Sequence, residues 1–399
     1  MGTQPPMIRR RHRRSNQPHS VILPEDLNGE ILSWLPVKPL MKMKCVSKSW
    51  NTLISDPKFV KLHLTRSARS SYSYLVSYEK SKHDGDYSFV PFSITDLFKN
   101  GTVTLPKDPY YRLINKDCRR VVGSCNGLVC LLGYDDDQRK ETWLRLWNPA
   151  TRTISDKFGY FRDDMHGLKY WKFEFGYNNS TDTYKVVALN RGSNMTTEVQ
   201  VLSFGNNIWR KIQSFLAMLL QSYCYDHTKM YTGVHLNCTI NWLAVVGNNN
   251  LDARFAIISL DLGTETHTQF SPPIDLPGAV SVKVSSVLPG VCALMDSLCF
   301  YHEFERTGFV IWKMTKFGDE NSWTQFLKFS YDNLQMNFEC GHFNIYENGD
   351  TMVFVHSQQD RAILYNWRNN RVVKTRVNKK ICWFSINNYV ESLVSTCCE

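Results

Sequence analysis

The feature of this 399-residue sequence that most limits its fold is a repeat with a period near 55 residues. Strand-like segments recur at separations of 55, 56, 54 and 53 residues, starting at Leu144, Val199, Phe255, Phe309 and Ala362. A second series precedes the first at separations of 57, 55, 58 and 54 residues, starting at Gly127, Tyr184, Thr239, Ser297 and Thr351. Such a period is typical of a propeller blade, whereas a solenoid needs shorter or helical repeats and a β-sandwich needs no fixed period.

Each repeat also contains a polar turn followed by a return strand, at 148–154, 205–212, 261–270, 316–329 and 368–377. An earlier pair of strand-like segments, starting at Tyr74 and Ser88, is spaced less regularly and would supply a sixth repeat. The sequence therefore predicts a mainly β domain, a closed β-propeller-like (kelch-like) array of about six blades. Closure would remove the exposed strand edges that so much β sequence would otherwise present.

Residues 22–64 have a different, helical pattern. Leu27, Ile31 and Leu35 recur at every fourth position, which places them on one face of a first helix. A second apolar series runs over residues 40–53, and a short third helix should follow. Three short helices bury little apolar surface on their own, yet this segment has more apolar side chains than one internal seam uses. A partner is therefore expected to cover the surplus.

The net charge of +10 is concentrated at the two ends of the chain. Residues 1–20 contain five arginines and no acid, and residues 361–380 contain seven lysines or arginines and no acid, whereas residues 21–360 are neutral overall. A nucleic-acid-binding domain would carry its charge on a folded face, so no direct nucleic-acid partner is expected. The segment 1–20 is typical of a disordered basic tail, which either promotes nuclear import or is simply solvated.

No motif predicts a catalytic site, a cofactor site or a metal site. The histidines are scattered singly, and neither an HExxH pair nor a GxSxG turn is present. The twelve cysteines form no CxxC pair, which favours reduced core residues in a cytoplasmic and/or nuclear protein. Arginines rather than an apolar run follow the first methionine, and no apolar run approaches ~18 residues, so neither a secretory signal nor a membrane span is expected.

The helical segment closely resembles the F-box. Leu23-Pro24, Ile31-Leu32, Leu35-Pro36, the run Cys45–Trp50 and Asp56-Pro57 all stand at the spacing of that family. The resemblance implies docking onto the Skp-family adaptor of SCF-type ubiquitin ligases and, through the adaptor, onto a cullin. The adaptor-binding residues that it implies are Leu23, Pro24, Leu27, Ile31, Leu32, Leu35, Pro36, Leu40, Cys45, Val46, Ser47, Lys48, Trp50 and Leu53.

The remainder resembles a second family, the plant F-box-associated domain. The segments SCNGLVCL, LWNPATRTI and NCTINWLA, among others between residues 120 and 370, follow that family in order as well as content. Within the F-box, the sequence departs from the family at Trp34, Pro39 and Met43, where basic, small polar and aromatic residues respectively are frequent. These departures leave the main anchors in place but could weaken the affinity for the adaptor.

We therefore divide the chain into a basic tail (1–20), an F-box (21–66) and an F-box-associated propeller-like domain (67–399). The first hypothesis is a non-catalytic substrate-recognition subunit of a ubiquitin ligase, which holds an unknown target protein in its blade-connecting loops. The alternative is a stand-alone protein- or glycan-binding propeller with a degenerate F-box. A third hypothesis, a kelch-like copper enzyme, lacks any spaced pairing of metal ligands.

Overall fold

The structure is a computed structural model that describes residues 25–70, 73–79, 87–101, 108–135, 141–162, 171–220, 233–247, 253–274, 288–334, 343–356, 362–375 and 386–397. A helical part comes first and a much larger β part follows it. None of the helices in these ranges is long and apolar enough to span a bilayer.

The helical part contains α1 (Glu25–Leu32), α2 (Val37–Met43), α3 (Lys48–Ser55) and α4 (Pro57–Ser70). The sequence predicted three helices because α2 and α3 share one apolar series. Ser47 separates them: its backbone is extended, and its hydroxyl caps α3 by accepting a 3.2 Å hydrogen bond from the amide of Trp50. The predicted end of the F-box at residue 66 lies inside α4, which continues to Ser70.

The β part begins with β1 (Ser73–Glu79), β2 (Tyr87–Ser93) and helix α5 (Ile94–Asn100). Blade 1 contains β3 (Arg120–Cys125), β4 (Leu128–Tyr134), β5 (Glu141–Asn148), β6 (Thr153–Ile154) and β7 (Phe158–Arg162). Blade 2 contains β8 (Lys172–Asn178), β9 (Thr183–Arg191), β10 (Thr197–Ser203) and β11 (Trp209–Lys211). Short 3-10 helices precede blade 1 at Pro109–Tyr111 and Ile114–Lys116.

Three further blades follow. Blade 3 contains β12 (Met218–Leu219), β13 (Val234–Leu236), β14 (Thr239–Val246), β15 (Arg254–Asp261) and β16 (His267–Phe270). Blade 4 contains β17 (Gly290–Leu294), β18 (Ser297–Phe304), β19 (Gly308–Met314) and β20 (Trp323–Ser330), with a 3-10 helix at Glu320–Ser322, and helix α6 (Tyr331–Leu334) follows. Blade 5 contains β21 (Phe343–Asn348), β22 (Thr351–His356), β23 (Ala362–Asn366) and β24 (Arg371–Lys374).

Both predicted strand series are confirmed. The second strands of the blades (β4, β9, β14, β18 and β22) form one series, and the adjacent strands (β5, β10, β15, β19 and β23) form the other. The predicted return strands are β6, β11, β16, β20 and β24. Five blades of four or five strands and a sixth sheet of three strands agree with the prediction of about six blades.

The sixth sheet joins the two ends of the β part. Its strand order is β2-β1-β25, where β25 (Ile386–Tyr389) comes from the C-terminal end of the chain. Tyr389 packs in one cluster with Trp147 of blade 1. On the other side, the guanidinium of Arg371 in blade 5 lies 5.0 Å from the ring centre of Phe98 in α5. Pairing between the N-terminal and C-terminal strands therefore closes the ring.

The core is divided into hydrophobic clusters between neighbouring blades. Val201 of blade 2 packs in one cluster with Trp242 of blade 3. Phe309 of blade 4 meets Phe354 of blade 5, with ring centres 5.5 Å apart. Cutting such a buried aromatic back to alanine typically costs about 3–5 kcal/mol. The blades are thus held in fixed positions by the aromatic side chains that they share.

Candidate functional site

Three apolar side chains of α1 and its C-terminal turn lie on the surface in one row. Leu27, Ile31 and Trp34 are 48%, 54% and 62% exposed, respectively. Their spacing of four and three residues places them on one side of the helix. Val46, in the turn between α2 and α3, is 72% exposed. Because all four residues are apolar and exposed, we group Val46 with Leu27, Ile31 and Trp34 and call the set the exposed apolar face.

The predicted adaptor-binding residues separate into an outer and an inner group. The exposed ones are Leu27, Ile31, Pro36, Cys45, Val46, Ser47 and Lys48. Leu32 and Leu40 are buried, and Leu35, Trp50 and Leu53 are half-buried against the same cluster. In this conformation Leu32 and Leu40 support the helices from inside, because Val37, Ile54 and Phe59 cover them. Leu23 and Pro24 lie outside the described residues.

Trp34 was not among the predicted adaptor-binding residues, although its spacing from Leu27 and Ile31 could have indicated it. The guanidinium carbon of Arg66 in α4 lies 4.8 Å from the centre of the indole ring. Arg66 is held in place by the carbonyl of Glu30 at 2.8 Å, by the Glu30 carboxylate and by the Ser33 hydroxyl. One face of the indole is therefore packed, and 62% of the residue remains exposed.

A buried histidine fixes the end of α1 to α4. His63 donates a hydrogen bond from Nε2 to the carbonyl of Leu35 at 2.9 Å. Burial lowers the pKa of His63, and this effect outweighs the opposing one of the Leu35 carbonyl. The ring is therefore neutral near pH 7, and it holds the turn after α1 in position.

The C-terminal segment lies between the helices and the propeller. Leu393 completes the hydrophobic cluster of the helices, while Val394 packs with the cluster shared by blades 1 and 2. The buried Asn148 donates from Nδ2 to the carbonyls of Ser392 at 3.0 Å and Val394 at 2.9 Å. These contacts give the exposed apolar face a fixed orientation relative to the blades.

The helices pack at one end of the propeller. They meet the turn after β5 at Ala150, and Lys61 of α4 pairs with Asp182 in the turn between β8 and β9. In an antiparallel blade, the turns between strands two and three lie at the opposite end. The turns at 192–196 and 305–307 belong to that opposite end, and within the described residues the helix contacts named above lie at the first end.

Within the described residues, no group of three or more His, Cys, Asp or Glu side chains is arranged to hold a metal ion. The carboxyl of Glu174 in β8 is buried and accepts a 2.8 Å hydrogen bond from the amide of Gly233. Burial raises the pKa of Glu174 to about 8, and the Gly233 amide opposes that shift. This carboxyl lies inside the propeller, away from the exposed apolar face.

Two family models match the sequence, and together they define the class of protein. The model of the F-box domain covers residues 21–62, and the model of the F-box associated beta propeller domain covers residues 99–396. Because the latter match spans most of the chain, the protein belongs to the F-box associated beta propeller family. The predicted resemblance is confirmed.

Individual relatives are distant but cover most of the chain. An F-box/kelch-repeat protein of Arabidopsis thaliana is 29% identical over 323 residues, which are 78% of this chain and 79% of the relative. The F-box protein CPR1 of Arabidopsis thaliana is 22% identical over 390 residues, 94% of this chain and 89% of the relative. Among solved structures, TolB from Acinetobacter baumannii gives a TM-score of 0.43 at 7% identity, covering 84% of this chain and 73% of TolB. A score that low supports no argument about fold or function.

Proposed function

We propose that this chain is the substrate-recognition subunit of an SCF-type ubiquitin ligase. The exposed apolar face would dock on a Skp-family adaptor and, through it, on a cullin, while the propeller would recruit a target protein. The basic tail would remain outside both modules, and the working location would be cytoplasmic and/or nuclear.

The observation that carries this proposal is the exposed apolar face itself. The helices pack around a hydrophobic cluster that Leu393 completes, yet Leu27, Ile31, Trp34 and Val46 remain outside it. Complete burial of such a side chain contributes roughly 1.5–3 kcal/mol. Because each is already partly covered, a partner would gain about half of that per residue. Four such side chains would together contribute about 3–6 kcal/mol, and the adaptor would have to cover further surface of the helices to offset an association cost of about 4–15 kcal/mol.

The target would be held at the propeller end opposite the helix contacts. Loops on a rigid scaffold are common recognition surfaces, and blade-to-blade packing supplies such a scaffold here. The proposed role needs no catalytic group in this chain, since other subunits would transfer ubiquitin. The contribution of this chain is to raise the effective concentration of the target near the charged carrier. On this proposal the chain has two working parts. The docking part is the set of helices, which ends at Ser70, and the target-binding part is the propeller, whose first strand begins at Ser73.

The test is co-purification of the full chain with a plant Skp-family adaptor and a cullin. Ile31→Asp places a charge on the exposed apolar face and should abolish the complex. Ile208→Asp is the matched control, because Ile208 is 65% exposed on blade 2. Leu35→Asp is less informative, since Leu35 is half-buried and its carbonyl accepts the His63 hydrogen bond.

A complex that forms with wild type and Ile208→Asp but not with Ile31→Asp supports the proposal. If wild type forms no complex, the F-box is degenerate, and the alternative of a stand-alone protein- or glycan-binding propeller applies. If Ile31→Asp binds as well as wild type, the exposed apolar face is not the docking surface.

A further inference from the structure

Trp34 extends the exposed apolar face with a large aromatic ring whose position is already fixed. It lies one helical turn beyond Ile31, at the junction between α1 and α2. The Arg66 guanidinium stacks on one side of the indole, and Arg66 itself is only 15% exposed, with the Glu30 carbonyl, the Glu30 carboxylate and the Ser33 hydroxyl as acceptors. A cation stacked on an indole is attracted by the ring's negative face.

This fixed position matters for binding. An exposed side chain normally loses rotamer freedom when a partner covers it, and this loss weakens binding. The stack on Arg66 restricts Trp34 in advance, so little of that loss remains. Tryptophan is also among the residues most enriched at the energetic centres of protein interfaces. A partner surface therefore gains most where it receives this ring.

Helices α2 and α3, which follow this ring in the chain, contain charge of one sign, whereas the Glu30 carboxylate beside the ring is paired with Arg66. Residues 37–55 contain Lys38, Lys42, Lys44 and Lys48 and no acidic residue. Lys44 is half-exposed and the other three lysines are exposed. Among the described side chains, the ion pairs of the helices involve Lys61 and Arg66 but none of these four lysines. Lys38 and Lys42 are one helical turn apart and lie on the same side of α2.

We infer that the partner surface is an apolar recess with an acidic border, in which the recess receives the indole of Trp34 and the border faces the lysines of α2 and α3. This inference rests on the proposed function and specifies the chemistry of the adaptor surface that this particular chain selects. Positive charge facing negative charge accelerates encounter and excludes wrong partners. The aromatic ring then provides most of the resistance to dissociation.

The experiment measures association and dissociation rates between the purified full chain and a purified plant Skp-family adaptor, over a series of NaCl concentrations. Trp34→Ala should weaken the affinity about 30-fold, mainly through faster dissociation. Tyr160→Ala is the matched control, because Tyr160 is 50% exposed on β7 of the propeller. Trp34→Phe keeps a ring over Arg66 and should lose less affinity than Trp34→Ala, which separates a binding effect from misfolding.

The charge is tested separately. Lys42→Glu combined with Lys48→Glu should slow association at least about 10-fold at low salt and reduce its salt dependence. Lys99→Glu combined with Lys316→Glu, both exposed on the β part, is the matched control. Suppose that Trp34→Ala binds the adaptor with the affinity of wild type, and that the Lys42/Lys48 variant associates as fast as the Lys99/Lys316 control. This inference is then wrong while the proposed function stands. If wild type does not bind the adaptor at any salt concentration, both fail.

Discussion

At the scale of single residues, Ile31 and Leu32 are neighbours in α1, yet Ile31 is exposed and Leu32 is buried. Adjacent residues of a helix point about 100° apart. An apolar pattern therefore indicates which broad side of the helix is apolar, but not which residues at the border of that side are buried. Leu32 is buried partly because Leu393, from the other end of the chain, completes its cluster. The sequence could therefore predict the helical segment but not which side of it remains open.

The first residue-scale prediction concerns Glu174, whose pKa burial raises to about 8 from an ordinary 4.5. The folded protein holds this proton more tightly than the unfolded chain does. Its contribution to stability is therefore complete below about pH 4.5 and is lost as the pH rises towards 8. Glu174→Gln keeps an oxygen to accept from Gly233 and has no charge to bury. We expect this uncharged variant to be more stable than wild type at pH 8–9, by on the order of 3 kcal/mol, and similar at pH 5.

Urea unfolding of wild type and Glu174→Gln at several pH values measures this difference. Subtracting the two curves removes the titration of all other groups. A difference in unfolding free energy that stays constant from pH 5 to pH 9 would show that Glu174 has an ordinary pKa.

At the scale of secondary-structure elements, the strands were predictable because each blade repeats the same apolar and turn pattern. The first strands β3, β8, β17 and β21 were not recognised as a series, since their apolar patterns differ from one another. The division between α2 and α3 was missed for another reason. Their apolar residues continue at helical spacing across Ser47, and only its hydroxyl bond to the Trp50 amide shows that a new helix begins.

Blades 2 and 3 are linked by an ion pair that the sequence does not indicate. Glu265, in the turn after β15, accepts hydrogen bonds from Lys185 of β9 and Arg210 of β11, both at 2.7 Å. Burial alone would raise the pKa of Glu265, but these two cations outweigh it and the pKa is lowered. Lys185 is only 8% exposed, so removing its partner leaves a buried charge.

We therefore predict that Glu265→Gln lowers the free energy of unfolding by about 3 kcal/mol at pH 7. The contribution is present above the ordinary pKa of 4.5 and is lost as the pH falls through the lowered folded-state value. Glu198→Gln is the matched control, since the pair of Glu198 with Lys211 is exposed and should contribute less than about 1 kcal/mol. Denaturant titrations of the two variants compare them, and equal losses would contradict the assignment of Glu265 as a link between blades.

At the scale of the whole molecule, the period of the sequence predicted the propeller, but not how the ring closes or how the helices attach to it. Closure depends on the four-residue strand β25, which is too short to be recognised from its composition. Attachment depends on the segment around Leu393, which packs against helices formed by the first residues of the fold. Both are contacts between distant parts of the chain, and a local pattern contains no information about them.

Leu393 should hold the helices to the propeller. Leu393→Asp would place a charge in the cluster of Leu32, Val37 and Leu40, and we expect the helices to unfold at a lower temperature than the propeller. Ser395→Asp is the matched control, because Ser395 is exposed in the same segment. Calorimetry should show an added low-temperature transition for Leu393→Asp only. A single transition in every variant, shifted as a whole, would mean that Leu393 stabilises the two parts together.

The central claim is that the chain docks through the exposed apolar face while its propeller remains free for a target. Amide hydrogen exchange of the full chain, with and without a plant Skp-family adaptor, tests this claim most directly. The account predicts slower exchange within residues 25–55 on addition of the adaptor and no change in blade 4. Protection in the blades without protection in α1–α3 would contradict it.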